Sequence, residues 1–100
     1  MKIKRIKKLQ VNSYWFDIKW DPTHNGGGIN YKTGIIEIGT GSSDLETLGT
    51  LSHELMEICS IEMNIRFNRP DGGDYLFVYD HRQFETMNNM FTGLLSQFLA

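Results

Sequence analysis

The sequence predicts an α+β fold: a small, mostly antiparallel sheet, then a helix, a short β-hairpin and a C-terminal helix. Two observations predict it. Hydrophobic residues alternate with a period of two in the first forty residues, and they recur every three or four residues in two later stretches. Strands that come first and helices that come later are typical of a sheet with helices on one face.

The early part of the chain contains the predicted strands. In YWFDIKW, residues 14–20, a period of two separates Tyr14, Phe16, Ile18 and Trp20 from Trp15, Asp17 and Lys19. Asp21-Pro22 ends the strand because proline cannot continue a ladder. GINYKTGIIEIG, residues 28–39, reads as a hairpin with its turn near residues 32–34. We also expect a first strand around Lys2–Leu9.

A first helix is predicted after GTGSSD. Ser43 and Glu46 fit a capping box, in which the serine hydroxyl accepts from a free backbone amide and the glutamate reaches back. The helix should run to about Ile61. Its predicted buried stripe consists of Leu45, Leu48, Leu51, Leu55 and Ile58.

A hairpin and a second helix complete the predicted fold. Residues 70–73, PDGG, are strong turn formers, and aromatic residues alternate after them. Asp80 is the expected N-cap of the second helix, with Gln83 at the capping-box position. The predicted apolar face of this helix consists of Phe84, Met87, Phe91, Leu94, Leu95 and Phe98.

Length and composition indicate one folded domain over residues 1–100. Of the 100 residues, 40% are hydrophobic and 12% aromatic, enough for a core. The single cysteine, Cys59, excludes an internal disulfide and favours a reducing compartment. The N-terminus lacks the apolar stretch of a secretion signal, and no apolar run is long enough to span a bilayer. We therefore expect a soluble, cytoplasmic protein without a membrane partner.

Charge is unevenly distributed. The first ten residues contain five basic residues and no acid, whereas the rest carries five basic and twelve acidic residues, a net charge of −7. A basic arm can contact nucleic acid, but lysines also protect an edge strand from aggregation. Because the acidic body would repel a phosphate backbone, we expect no nucleic-acid partner.

The stretch LSHELMEICS, residues 51–60, contains the candidate metal ligands. His53 and Glu57 are four residues apart, so on a helix they lie about 6 Å apart along the axis and about 40° apart around it. Both side chains can reach one ion. His81, at the first turn of the second helix, is the best candidate for a third ligand. Two histidines and one glutamate are a common ligand set for catalytic zinc, so zinc is the expected cofactor.

Glu54 is the candidate catalytic residue. It follows His53 directly and should project about 100° away from it around the helix. A carboxylate at this position can take a proton from a metal-bound water and pass it to a leaving amine.

Each of these residues also has a plainer interpretation. Glu57 can be a solvated carboxylate on the helix surface, and His53 can be a hydrogen-bonded histidine at the edge of the core. Glu85, four residues after His81, can orient that histidine, replace it as third ligand, or simply lie on the helix surface. Cys59 reads as a small buried hydrophobic residue rather than a nucleophile.

Three stretches carry a family resemblance: GGINYKTGIIEI, ETLGTLSHELMEI and YDHRQFETMNNMFTGLL. Together they resemble the small zincin-like metallopeptidase domains of phages and prophages. The resemblance implies that His53, Glu57 and His81 bind the metal and that Glu54 is the general base. The chain departs from the family pattern in two ways: Glu57 stands where a second histidine is usual, and residues 70–79, PDGGDYLFVY, look like additional material.

Two functions follow as hypotheses. The first is a zinc-dependent hydrolase of the peptidase class that aligns an extended peptide along an exposed strand of the GIIEIG hairpin. The second is a catalytically inactive, zincin-like metal-binding protein of phage origin that acts by stoichiometric binding to a protein. A metal-free interaction domain is a third hypothesis.

Overall fold

The computed structural model describes residues 3–99. The expected α+β order is confirmed, and both helices pack on one face of the main sheet. Lys2, which belongs to the predicted first strand, lies outside the described residues. The strands and helices are β1 Lys8–Val11, β2 Tyr14–Asp21, β3 Gly27–Asn30, β4 Ile35–Gly39, α1 Asp44–Glu62, β5 Arg66–Phe67, β6 Leu76–Phe77 and α2 His81–Ser96.

The main sheet has the strand order β1-β2-β4-β3. β1 and β2 are antiparallel, as are β3 and β4, but the central strands β2 and β4 are parallel. This parallel pairing requires the chain to cross from β2 to the far edge, form β3 and return as β4. Within the described residues β3 is therefore an edge strand, whereas the GIIEIG segment lies inside the sheet.

The crossover from β2 to β3 runs closely over the end of β4. Gly39 N donates to Gly26 O at 2.7 Å, and Gly41 N donates to His24 O at 2.9 Å. A Cβ added to Gly39 would lie 2.5 Å from His24 O, so this position has no room for a side chain. The glycines around β4 thus permit close contact between two backbone segments.

The core lies between the sheet and the two helices. Alternate residues of β1, β2 and β4 are buried, which confirms the period of two. The buried hydrophobic residues are Leu9, Val11, Phe16, Ile18, Ile36, Ile38, Leu51, Leu55, Ile58, Cys59, Ile65, Met87, Leu94 and Phe98.

Two residues predicted in the helix stripes are exposed. Leu45, in the first turn of α1, is 77% exposed, and Phe84, in the first turn of α2, is 48% exposed. Leu45 lies about 120° around α1 from Leu51 and so points away from the face that buries Thr47, Leu51 and Leu55. Phe84 is exposed at the start of α2, one turn before the buried Met87.

The N-terminal basic segment lies against the fold. Ile3 forms a β-bridge with Leu99, and Ile6 packs against the core. The Trp20 indole donates to Ile6 O at 2.9 Å, and the Arg5 guanidinium lies 5.7 Å from the Trp20 ring centroid. No helix in residues 3–99 is long and apolar enough to cross a membrane.

Candidate metal centre

The helix α1 begins and ends close to its predicted limits and orients the candidate site. Its N-cap is Ser43, whose hydroxyl accepts from Glu46 N at 3.2 Å. Leu51, Leu55 and Ile58 face the core, and this fixes the rotation of the helix. His53 consequently lies at the surface with a side chain that is 68% exposed, whereas the Glu57 side chain is only 20% exposed.

His53 and Glu57 come together as the helical spacing predicts. His53 Nε2 lies 3.9 Å from Glu57 Oε1. Two ligand atoms at about 2.1 Å from a tetrahedral zinc ion lie about 3.4 Å from each other. A small side-chain adjustment would therefore allow both atoms to bind one ion, and their donor types suit zinc.

Glu54 is closer to His53 than the spacing of adjacent helix residues suggests. Its carboxylate is almost fully buried, and Oε1 lies 3.2 Å from His53 Nδ1. When His53 donates from Nδ1, its Nε2 lone pair is left facing Glu57. Glu54 thus contacts the candidate ligand and also belongs to the groove beside it.

His81 does not join this pair in the structure. It is the first residue of α2, its side chain is 82% exposed, and Nδ1 lies 3.4 Å from Glu85 Oε1. Its ring also stacks on Phe84, with centroids 6.3 Å apart. Within residues 3–99, no three His, Cys, Asp or Glu side chains form a group able to hold a metal ion. The three-ligand site therefore stays a prediction.

The structure adds one residue that the sequence does not single out. Arg66 Nη1 donates to Glu57 Oε2 at 2.6 Å, and the Arg66 guanidinium lies 3.9 Å from the Tyr75 ring centroid. Two residues before Arg66, Asn64 adopts the left-handed backbone conformation, with φ of 56°, and the chain turns there after the end of α1. The sequence feature that could have indicated this turn is the asparagine just after the predicted helix, because asparagine tolerates the left-handed conformation.

A cavity of about 290 Å³ lies beside the His53–Glu57 pair, between α1, the β5–β6 hairpin and α2. Its lining is mainly apolar, and the two polar candidate ligands lie in its wall. The cavity is lined by His53, Met56, Glu57, Ser60, Ile65, Phe77, Tyr79 and Met87.

An open groove of about 490 Å³ lies on the other side of His53, between α1 and the edge strand β3. Gly27 brings the strand close to the helix: an added Cβ would lie 3.0 Å from Thr50 Cγ2 and 3.3 Å from Glu54 Cγ. The groove is lined by Gly26, Gly27, Glu46, Gly49, Thr50, His53 and Glu54. His53 therefore separates an apolar cavity from a more polar groove.

Cys59 and His24 have other surroundings. Cys59 is fully buried, and desolvation raises the pKa of its thiol to about 11, in agreement with its expected packing role. His24 Nδ1 lies 2.7 Å from Asp21 Oδ2 in the crossover loop. Hydrogen bonds from Thr23 are the main cause that lowers the pKa of Asp21 to about 2.

Asp80 is the N-cap of α2, as expected from the sequence. It accepts from Gln83 N at 2.8 Å, and Asp80 N donates to the Gln83 side chain at 2.9 Å. The capping box is complete and fixes the backbone just before His81.

Comparison with protein-family models, with curated proteins and with solved structures finds no match to this chain.

Proposed function

We propose that this protein is a zinc-dependent hydrolase, most simply a peptidase. In this proposal His53, Glu57 and His81 bind the metal, and Glu54 activates a water molecule. The observation that carries it is the 3.9 Å approach of His53 Nε2 and Glu57 Oε1 at the boundary of a cavity and a groove. The resemblance of the LSHELMEICS motif to the metal-binding helix of small zincin-like domains motivates the same assignment.

The donor set fits zinc, which accepts imidazole nitrogen and carboxylate oxygen. A bound zinc ion would supply Lewis acidity, polarising a carbonyl group and lowering the pKa of water towards 7. Glu57 presents Oε1 to His53 while Oε2 is occupied by Arg66, so the carboxylate is suited to binding through one oxygen.

Glu54 would accept the proton of the attacking water on its carboxylate and then deliver it to the departing amine. Its side chain is only 7% exposed, and its 3.2 Å contact with His53 Nδ1 keeps it at the site. The same contact orients the His53 imidazole, a role that metal-binding histidines commonly require.

His81 is the proposed third ligand because of its position in the chain. Only Asp80 separates it from Tyr79, which lines the same cavity as His53 and Glu57. Binding would require the His81 side chain to leave Glu85 and turn towards this cavity. Breaking the His81–Glu85 pair would cost little, because an exposed pair of this kind contributes little to stability.

The substrate class follows from the edge strand β3. Its outer backbone groups can pair with an extended peptide, which would then pass along the groove that contains His53 and Glu54. Backbone pairing is independent of side-chain identity, so we propose a peptide or protein substrate.

A second candidate is a zincin-like, catalytically inactive protein that binds a partner protein stoichiometrically. The β5–β6 hairpin and the start of α2 favour it, because they expose many large apolar side chains close together in sequence. Such patches mark protein interaction sites. The exposed residues are Phe67, Tyr75, Leu76, Phe77, Val78, Tyr79 and Phe84.

Elemental analysis of the purified protein tests the metal site directly. We expect about one zinc per chain, strongly reduced by His53→Ala and by His81→Ala. His24→Ala is the matched control, since His24 is hydrogen-bonded to Asp21 in the crossover loop and belongs to no proposed ligand set. Zinc content unchanged by His81→Ala would remove His81 from the ligand set, and a wild type that binds no metal would reject the proposal.

Cleavage of a peptide library separates the two candidates. A hydrolase should cleave peptides only when metal is present and lose that activity in Glu54→Gln while retaining zinc. Stoichiometric zinc without cleavage of any peptide would favour the binding protein, in which His53→Ala lowers stability rather than a rate.

A further inference from the structure

We propose that Arg66 is a positioning residue for Glu57, and that Tyr75 holds Arg66 in place. This inference rests on the proposed function, since it assigns a role relative to a bound metal ion. The supporting observation is that the two oxygens of the Glu57 carboxylate have different partners. Oε2 accepts from Arg66 Nη1 at 2.6 Å, and Oε1 faces His53 Nε2 at 3.9 Å.

Glu57 needs such a partner because a glutamate side chain has three rotatable bonds, and binding an ion requires one orientation of its carboxylate. A carboxylate on a helix can point towards solvent or towards His53, and only the second orientation presents an oxygen to a shared ion. The bond from Arg66 selects that orientation. It is a charge-assisted hydrogen bond, the stronger kind, between side chains that are only 25% and 20% exposed.

The Arg66 guanidinium is itself fixed on its other side. It lies 3.9 Å from the Tyr75 ring centroid, which is within the range of a cation–π contact. The Tyr75 ring and the Glu57 carboxylate thus hold the guanidinium between them. Arg66 is therefore held by contacts on two structural elements rather than free in solvent.

The β5–β6 hairpin provides the framework for this arrangement. Arg66 pairs with Phe77 across the two strands, and Val78 N donates to Ile65 O at 2.9 Å. Phe77 also lines the cavity beside His53 and Glu57. Residues 70–79, which looked like additional material in the sequence, thus supply Tyr75 and Phe77, the two residues that hold Arg66 beside Glu57.

A role in which Arg66 competes with the metal ion for Glu57 would give the opposite experimental result. If its charge mainly competes with a cation for Glu57, then removing the charge should strengthen metal binding. If Arg66 positions Glu57, its removal should weaken binding, because partners of metal ligands commonly contribute about ten- to a hundredfold to affinity.

The test is the affinity of the full chain for zinc, measured by competition with a chromophoric chelator. We compare the wild type with Arg66→Gln, Arg66→Lys and Tyr75→Leu. Arg69→Gln is the matched control, because Arg69 lies in the same hairpin region and pairs with Asp71, 3.3 Å away. Circular dichroism and urea unfolding of the metal-free proteins report whether each variant is folded.

We expect Arg66→Gln to weaken zinc binding at least about tenfold and Arg69→Gln to leave it unchanged. Arg66→Lys should recover part of the affinity, since a lysine keeps the charge but not the planar geometry. Tyr75→Leu should weaken binding several-fold in the same direction. It leaves Arg66 and Glu57 intact, so it tests the inference even when Arg66→Gln does not fold.

Equal zinc affinity in the wild type, Arg66→Gln and Tyr75→Leu would overturn the positioning role while the proposed function stands. Tighter binding in Arg66→Gln would also overturn it and assign Arg66 the competing role. A wild type that binds no zinc would reject the proposed function, and the inference with it, before any variant is compared.

Discussion

Tyr14 donates a hydrogen bond from its hydroxyl to Glu62 Oε2 and thereby joins the first residue of β2 to the last residue of α1. Tyr31 donates to the same oxygen at 3.2 Å, and Asn12 Nδ2 donates to Glu62 Oε1 at 2.7 Å. One carboxylate therefore holds three segments of the sheet region against the C-terminal end of α1.

Glu62→Gln should destabilise the fold, because the amide replaces one acceptor oxygen and removes the charge that strengthens these bonds. We expect the free energy of unfolding to fall by about 1 kcal/mol, measured by urea denaturation. Glu37→Gln is the control: Glu37 is exposed and lies 3.9 Å from Lys19, so its effect should stay within about 0.5 kcal/mol. Equal losses in both variants would contradict a special role for Glu62.

The same cluster predicts a loss of stability at alkaline pH. Desolvation and then the bond to Glu62 raise the pKa of Tyr14 from 10.0 to about 12, and desolvation and the charge of Glu62 raise the pKa of Tyr31. The unfolded chain ionises first, so the neutral hydroxyls stabilise the fold below pH 10, and this contribution is lost as the pH rises towards 12.

Urea midpoints measured from about pH 8 upward test this dependence. Tyr14→Phe should lower stability at neutral pH but show a shallower fall at alkaline pH, because one titrating hydroxyl is gone. Tyr79→Phe, on the hairpin, is the control and should retain the wild-type pH dependence. A fall as steep in Tyr14→Phe as in the wild type would contradict the prediction.

Two leucines of α1 should respond very differently to truncation. Leu51→Ala removes a side chain that is 1% exposed in the core and should cost about 2–5 kcal/mol. Leu45→Ala changes an exposed side chain and should cost less than about 0.5 kcal/mol. Chemical denaturation measures both, and a large loss in Leu45→Ala would contradict the exposed position.

Chelation should lower the thermal stability of the zinc-loaded protein. An ion that binds only the folded state adds about 2.7 kcal/mol at a hundredfold excess over Kd, and each kcal/mol shifts Tm by about 4–8 °C in a domain this small. His53→Ala should show no chelator effect, whereas His24→Ala should behave as the wild type. Differential scanning fluorimetry measures these shifts, and an unchanged wild-type Tm would contradict a stabilising metal.

Neighbouring glycines of β3 provide a matched pair. A Cβ at Gly27 would lie 2.5 Å from Glu37 O and 3.0 Å from Thr50 Cγ2, but a Cβ at Gly28 would meet nothing within 4 Å. Gly27→Ala should therefore displace β3 from β4 as well as from α1 and cost more than about 1 kcal/mol, whereas Gly28→Ala should be nearly neutral. Equal stability of the two variants in urea would refute the close approach of strand and helix.

Local features of the fold could be predicted from the sequence. Ser43 and Asp80 cap the helices at the predicted places, and the alternation in β2 and β4 places the expected residues in the core. These signals depend on neighbours a few residues apart. The prediction that Leu45 is buried was wrong, because two successive spacings of three residues turn it about 120° away from Leu51 around the helix.

The pairing of distant segments could not be predicted in the same way. No local pattern distinguishes a parallel β2–β4 pair from an antiparallel one, since both show the same alternation. The i, i+4 spacing predicted that His53 and Glu57 lie close together, but this spacing gives no information on the position of His81, which lies on the other helix. Arg66 was missed because its contact with Glu57 depends on how the hairpin packs.

The crossover over Gly39 has a consequence for how the chain folds. β4 lies between two strands that precede it in sequence, so it can complete the centre of the sheet only after the chain has reached the edge and turned back. Contacts between sequence-distant segments form slowly, because a loop must close before they are made. We expect this closure, rather than helix formation, to limit the rate at which the protein reaches its native state.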